Sequence, residues 1–206
     1  MVRRTKEEAQ ETRNRILDAA ERVFQERGVS RTSLNEIALD AGVTRGAIYW
    51  HFQDKADLFN AMLERVTLPF EDAIKGPDDA GAGPLDVLRK TFSAAIQKTV
   101  NDPQVRRVFE IATHKVEYVD ETRAVRDRHL AVRNEMHEHM TRRIALAMAQ
   151  GQLANRVSAD TAAFGLHAMI DGLIQNWMLD PDAFDLLVVG EQVLDTYLAG
   201  LAVKTP

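Results

Sequence analysis

Between residues 44 and 55 the chain reads Thr-Arg-Gly-Ala-Ile-Tyr-Trp-His-Phe-Gln-Asp-Lys. Thr44, Tyr49, His51 and Lys55 carry hydroxyl, imidazole and ammonium groups able to hold phosphate oxygens. Arg45 offers a guanidinium fork that fits the two acceptors on a guanine edge, and Gly46 beside it allows a close backbone approach. Trp50 adds an indole suited to a groove or a sugar-phosphate contact. Thr32 and Ser33 lie a short way upstream, where a helix start would help their hydroxyls reach another phosphate. Phe52 is expected to be a core aromatic. This mixture suits a helix laid against nucleic acid better than one packed in a core.

The elements that would present these groups are legible around them. Ile37, Ala38 and Ala41 offer an inward face on a short helix after Ser33, which has Glu36 at capping-box spacing. Gly42 supplies the positive φ of a tight turn, and Val43 and Ile48 fill the wedge between that helix and the next. The spacing predicts a helix-turn-helix over 34–51. It follows a first helix at 8–27, whose Ile16, Leu17, Ala20, Val23 and Phe24 form one stripe, with Thr5 and Glu8 as its capping box and Gly28 as its stop. Asp54, with Asp57 at the reciprocal position, starts a long fourth helix that Pro69 is expected to kink or break. Residues 76–84 read as a mobile loop. Helices of about 85–100, 103–117, 121–150, 159–179 and 185–201 follow, punctuated by Asp102-Pro103, Gly151, Ser158 and Pro181. No strand-period run appears. The expected fold is all-α, about nine helices: a three-helix unit at 1–54 and a larger bundle at 55–206.

Composition bounds the function. The chain has 206 residues, 45% of them hydrophobic, so a packed core is within reach. The absence of cysteine rules out disulfides, thiolate metal sites and cysteine catalysis. The polar start and the lack of a long apolar run predict a soluble cytoplasmic protein with no membrane role. A net charge of −5 looks wrong for a nucleic-acid binder, but residues 1–55 hold 10 basic against 9 acidic side chains and the remainder 16 against 22. Arg3, Arg4 and Lys6 precede any acid. Basic charge is therefore local to the N-terminal end. No metal is expected, since His137 and His139 do not share a helix face and no His-Glu-x-x-His occurs. With no phosphate loop, nucleophile elbow or recognisable carboxylate pair, neither enzyme activity nor a cofactor is expected.

The run Thr-Ser-Leu-x-Glu-Ile-Ala-x-x-Ala-Gly-Val followed by Thr-Arg-Gly-Ala-Ile-Tyr-Trp-His-Phe-x-x-Lys resembles the DNA-binding domain of the TetR family of bacterial repressors, over residues from about 12 to 62. Within it the chain is most similar to the AcrR/TtgR-like branch, local repressors of multidrug efflux pumps. A weaker likeness runs through Arg106-Arg107, Glu110, His114-Lys115 and Asp171-Gly172-Leu173-Ile174 with Trp177. The resemblance implies a homodimer on a palindromic double-stranded operator, and a C-terminal domain in which a hydrophobic or aromatic effector changes head spacing and releases DNA. Helix 4 would carry that movement.

In the bundle, Leu166, Leu173 and Trp177 on helix 159–179 and Leu187, Leu194 and Tyr197 on helix 185–201 have the spacing of a dimer face, or of the monomer's own core. The opposite face of helix 159–179, with His167, Ile170, Asp171, Ile174 and Gln175, could converge with Leu88, Thr91, Phe92 and Ala95, with Phe109 and Thr113, and with Met136 and Met140. Together they would line a mostly apolar effector cavity with Asp171 and His167 as an orienting pair; a filled core is the alternative. Two further functions stay open: a regulator of metabolism or an activator, and a helical small-molecule binder or enzyme with a vestigial N-terminal unit.

Overall fold

The computed structural model describes residues 6–75 and 82–203. Arg3, Arg4, the Thr5 cap and most of the 76–84 loop lie outside the described residues. Among those described there are nine α-helices and no strand: α1 (Lys6–Arg27), α2 (Leu34–Asp40), α3 (Arg45–His51), α4 (Lys55–Lys75), α5 (Pro84–Asn101), α6 (Pro103–His114), α7 (Arg123–Ala149), α8 (Ala159–Leu179) and α9 (Leu186–Leu201). No helix of the described residues is long and apolar enough to cross a membrane.

The helices end where backbone chemistry requires. After α2, Val43 N–H donates to Ala38 C=O (2.9 Å) and Gly42 N–H to Leu39 C=O (3.1 Å), with Gly42 at φ +63°. After α7, Gln152 N–H donates to Ala147 C=O (2.9 Å) and Gly151 N–H to Met148 C=O (3.0 Å), with Gly151 at φ +72°. Both are Schellman stops, in which a left-handed glycine satisfies the last free carbonyls. At the other ends, Ser158 Oγ accepts from Thr161 N–H, the Asp102 carboxylate accepts from Gln104 and Val105 N–H, and the Asp185 carboxylate accepts from Leu187 and Val188 N–H.

Two expectations need correction. α6 stops at His114 rather than 117, and α7 begins at Arg123 after a 3₁₀ turn at Asp120–Thr122. There the Lys115 carbonyl accepts from Val29 N–H (2.9 Å), and the buried Thr122 hydroxyl donates to Glu117 C=O (2.5 Å) while accepting from Val119 N–H (3.0 Å). Tertiary and side-chain partners thus replace the helical bonds. α4 is not broken at Pro69 but runs on to Lys75. A proline removes a single donor, so the helix on either side of it can continue.

The chain divides into two compact units, residues 1–68 with 107–130, and residues 69–106 with 131–206. In the first, the α1 stripe Ile16, Leu17, Ala20, Val23 and Phe24 is buried together with Ile37, Ile48, Phe52, Phe59 and Met62. The rings of Phe24 and Phe59 lie 6.1 Å apart. Glu21 of α1, only 2% exposed, pairs with Arg65 of α4 and sits 3.7 Å from Arg107 of α6. A buried carboxylate is tolerable only with such partners, and removing one strands the others.

In the second unit α9 packs on α5 and α8, burying Leu88, Phe92, Ile96, Leu166, Trp177, Leu186, Leu194 and Leu198. Arg89 of α5 pairs with Asp195 of α9. Tyr197 lies over Gly165, and its hydroxyl donates to Ala162 C=O at 2.8 Å. A Cβ on Gly165 would overlap that hydroxyl. Gly165→Ala should therefore lower stability by about 1–3 kcal/mol, as overpacking does, measured by chemical denaturation. Tyr197→Phe, which removes the overlapping atom, should recover part of the loss in the double variant.

Candidate nucleic-acid interface

Ile48 is wholly buried where α3 packs on α2, and this decides which side of α3 meets solvent. Helical spacing then leaves Arg45, Gly46, Tyr49 and Trp50 outside, with Trp50 72% and Tyr49 47% exposed. Large aromatics so exposed have no role in the core. The Arg45 guanidinium lies 5.6 Å from the Tyr49 ring centroid, and the Trp50 and His51 rings meet edge to face at 4.5 Å. The outward groups are thus arranged in two pairs, Arg45 with Tyr49 and Trp50 with His51. Phe52 is buried as expected, with the Arg13 guanidinium 5.1 Å from its ring centroid.

Thr44 and Ser33 are exposed and begin the two helices of the motif. Thr44 Oγ1 accepts from Ala47 N–H (3.2 Å) and Ser33 Oγ from Glu36 N–H (3.3 Å). The Glu36 carboxylate returns the cap by accepting from Ser33 N–H and Oγ, each at 2.8 Å, and pairs with Arg27 at 3.0 Å. The Ser33 hydroxyl, then its N–H, hold the Glu36 carboxyl below the ordinary glutamate range. Arg22 pairs with Asp40 at 2.7 Å. These two ion pairs pin α2 to α1, so that the orientation of α3 is inherited from α1.

Two of the expected phosphate ligands are placed differently. Thr32 is buried, its hydroxyl donating to Gly28 C=O at 2.8 Å. Lys55 is only 9% exposed, and its ammonium donates to Ser30 C=O (3.2 Å) and Thr32 C=O (3.0 Å). Both polar groups are drawn inward by main-chain carbonyls of the α1–α2 loop, which the spacing of residues along the chain does not reveal. An open groove of about 470 Å³ lies over them, lined by residues 30–36, Tyr49 and residues 53–55. It adds Asn35 and Gln53 to the candidate surface. Asn35 could have been found from its spacing to Leu39, the outward stripe of α2, where Leu39 is itself highly exposed.

The residues expected at an effector cavity fall in both compact units. Phe109 (half-buried) and Thr113 (exposed) belong to the first. In the second, Leu88, Phe92 and Met140 are buried, and Thr91, Ala95, Met136, His167, Ile170, Ile174 and Gln175 are half-buried. Asp171 is exposed, and its carboxylate accepts from Gln175, one turn on, at 2.6 Å. The dimer-face expectation is corrected for Leu166, Trp177 and Leu194, which lie in the core of the second unit. Trp177 stacks there under the Arg106 guanidinium at 5.5 Å. Tyr197 and Leu173 are half-buried, and Leu187 is exposed. With Leu187, the outward residues of α8 and α9 include Phe164, Ala168, Leu179, Val188, Thr196 and Ala199.

A short helix held by a left-handed glycine turn, with a cationic and aromatic face kept out of the core, defines a helix-turn-helix DNA-binding regulator. The chain belongs to the TetR family: residues 16–62 match the bacterial regulatory proteins of that family, and residues 83–203 match the C-terminal region of MAATS-type transcriptional repressors. It is 43% identical to the HTH-type transcriptional regulator TtgR of Pseudomonas putida, over 96% of this chain and 95% of that one. It is similar to the solved structure of NalD, the secondary repressor of the MexAB-OprM multidrug efflux pump in Pseudomonas aeruginosa. That match has a TM-score of 0.89 at 37% identity and covers 97% of this chain and 100% of NalD. The SmeT–triclosan complex matches with a TM-score of 0.84 at 34% identity, over 95% of this chain and 93% of SmeT.

At Gly42 a Cβ would meet nothing within 4 Å, so only its φ of +63° resists substitution. Gly42→Ala should lower stability by about 1–2 kcal/mol, with Gly42→Asn intermediate, both measured by thermal denaturation.

Proposed function

We propose that this protein is a ligand-responsive repressor. It binds a pseudo-palindromic operator as a homodimer, controls a multidrug efflux pump operon in the cytoplasm, and leaves DNA when a hydrophobic or aromatic small molecule binds. Residues 1–54 would read DNA, and residues 55–206 would bind the effector and the second protomer. The observation that carries the reading is the outward face of α3. Arg45, Gly46, Tyr49 and Trp50 are all exposed there. Gly46 has an ordinary helical φ, and a Cβ on it would meet only Thr44 Oγ1 at 4.0 Å. The fold gains nothing from a glycine at this place, which weakens a helix by roughly 0.8–1 kcal/mol relative to alanine. Close approach of a DNA backbone explains it.

In this reading Arg45 reads a base edge. Thr44, Tyr49, His51 and Ser33 hold phosphates, with Asn35 and Gln53 beside them. The second protomer covers the outward residues of α8 and α9. The relatives support the regulated system: NalD is a repressor of an efflux pump, and SmeT has been solved with triclosan. The effector acts only through its preference for the DNA-incompetent form, each 1.4 kcal/mol of that preference shifting release about tenfold.

In a mobility-shift titration against DNA upstream of its gene, Arg45→Ala should weaken specific binding by about 1–3 kcal/mol and relax discrimination at one base position. Gly46→Ala should raise thermal stability while lowering operator affinity. Unchanged affinity and preference in Arg45→Ala would remove its base-reading role. A Gly46→Ala protein that is stabilised and still binds fully would remove the close-approach argument.

A further inference from the structure

Lys55 lines the groove beside α2 together with Arg31, and its chemistry alone makes it a phosphate ligand. Its geometry says otherwise. Lys55 is only 9% exposed, and its ammonium donates to Ser30 C=O at 3.2 Å and Thr32 C=O at 3.0 Å. Those carbonyls belong to the loop that enters α2, whereas Lys55 is the first residue of α4, four residues past the end of α3. The two bonds therefore close a ring that contains the whole helix-turn-helix: loop, α2, glycine turn, α3, Phe52, and back to the loop. The loop carbonyls have few alternatives, since Thr32 N–H already donates to Val29 C=O and the Thr32 hydroxyl to Gly28 C=O. Buried carbonyls left without a donor are costly, and a charged donor binds them more strongly than a neutral one.

We infer that Lys55 is a positioning residue for operator binding rather than a phosphate ligand: its ammonium fastens the entry of α2 to the exit of α3 and so sets the angle between the two helices. This rests on the DNA-binding reading proposed above. A lysine that neutralises a phosphate releases counterions and adds about 0.9 to the slope of log K against log salt. A lysine that holds the motif together leaves the slope alone and lowers affinity through geometry.

Two measurements separate these roles. The first needs no substitution: the folded wild-type chain is acetylated with an amine-reactive ester, with and without operator DNA, and each lysine is read by mass spectrometry. Lys55 should stay unmodified in both states, while exposed Lys90 reacts in both. Lys55 labelled in the free protein and shielded by DNA overturns the inference. The second compares salt slopes of wild type, Lys55→Met and Lys55→Arg. Both variants should bind roughly tenfold or more weakly with the wild-type slope, because a planar guanidinium cannot replace a compact ammonium between two converging carbonyls. A slope lower by about 0.9 in Lys55→Met, restored by Lys55→Arg, overturns the inference. Wild type that binds no operator at any salt fails the DNA-binding reading itself, and the labelling of the free protein still reports whether Lys55 is buried.

Discussion

The burial of Ile48 against α2 is the constraint on which the candidate interface depends. A seven-residue helix has too few turns to be stable alone, so α3 exists because one apolar side chain is held in the core and two helix ends are closed around it. Once Ile48 points inward, the helical period sends Arg45, Gly46, Tyr49 and Trp50 outward without further choice. The left-handed Gly42 turn sets the direction of the chain, and the Arg22–Asp40 and Arg27–Glu36 pairs carry that direction back to α1. Exposed pairs of this kind contribute little to stability individually. Their use here is to fix register between helices already held by apolar contact.

Much of this was legible in the chain because each element is signalled by local chemistry. Ser33 and Glu36 make the capping box their spacing predicts, Gly42, Gly28 and Gly151 take positive φ, and the α1 stripe is buried to its last member. What sequence could not tell was set by contacts across long separations. Lys55 and Thr32 look like surface phosphate ligands until the loop carbonyls of Gly28, Ser30 and Thr32 are seen to need donors. α6 looks three residues longer until the Lys115 carbonyl is taken by Val29. The two apolar faces of α8 posed the same difficulty: period alone cannot say which faces a core, and the structure assigns Leu166 and Trp177 to it while Phe164 and Leu179 stay outside.

The charge balance is explained by the same separation of tasks. The acidic excess lies beyond residue 55, and acidic surface repels nucleic acid. Cationic and aromatic groups are concentrated on α3 and beside it, where a net charge of −5 would have hidden them. Among the described residues the buried charges are held: Glu21 beside two guanidinium groups, Lys55 by two carbonyls. Both stand where one helix must keep its angle to another.

The placement of α3 can be tested through its indole. Trp50 is 72% exposed, whereas Trp177, the chain's other tryptophan, is 6% exposed in a core. In a Trp177→Phe protein that keeps its fold, operator DNA should shift Trp50 emission and protect it from acrylamide quenching, in step with binding measured independently. Full operator binding with Trp50 emission and quenching unchanged would contradict the account, because α3 would then not be the surface that meets DNA.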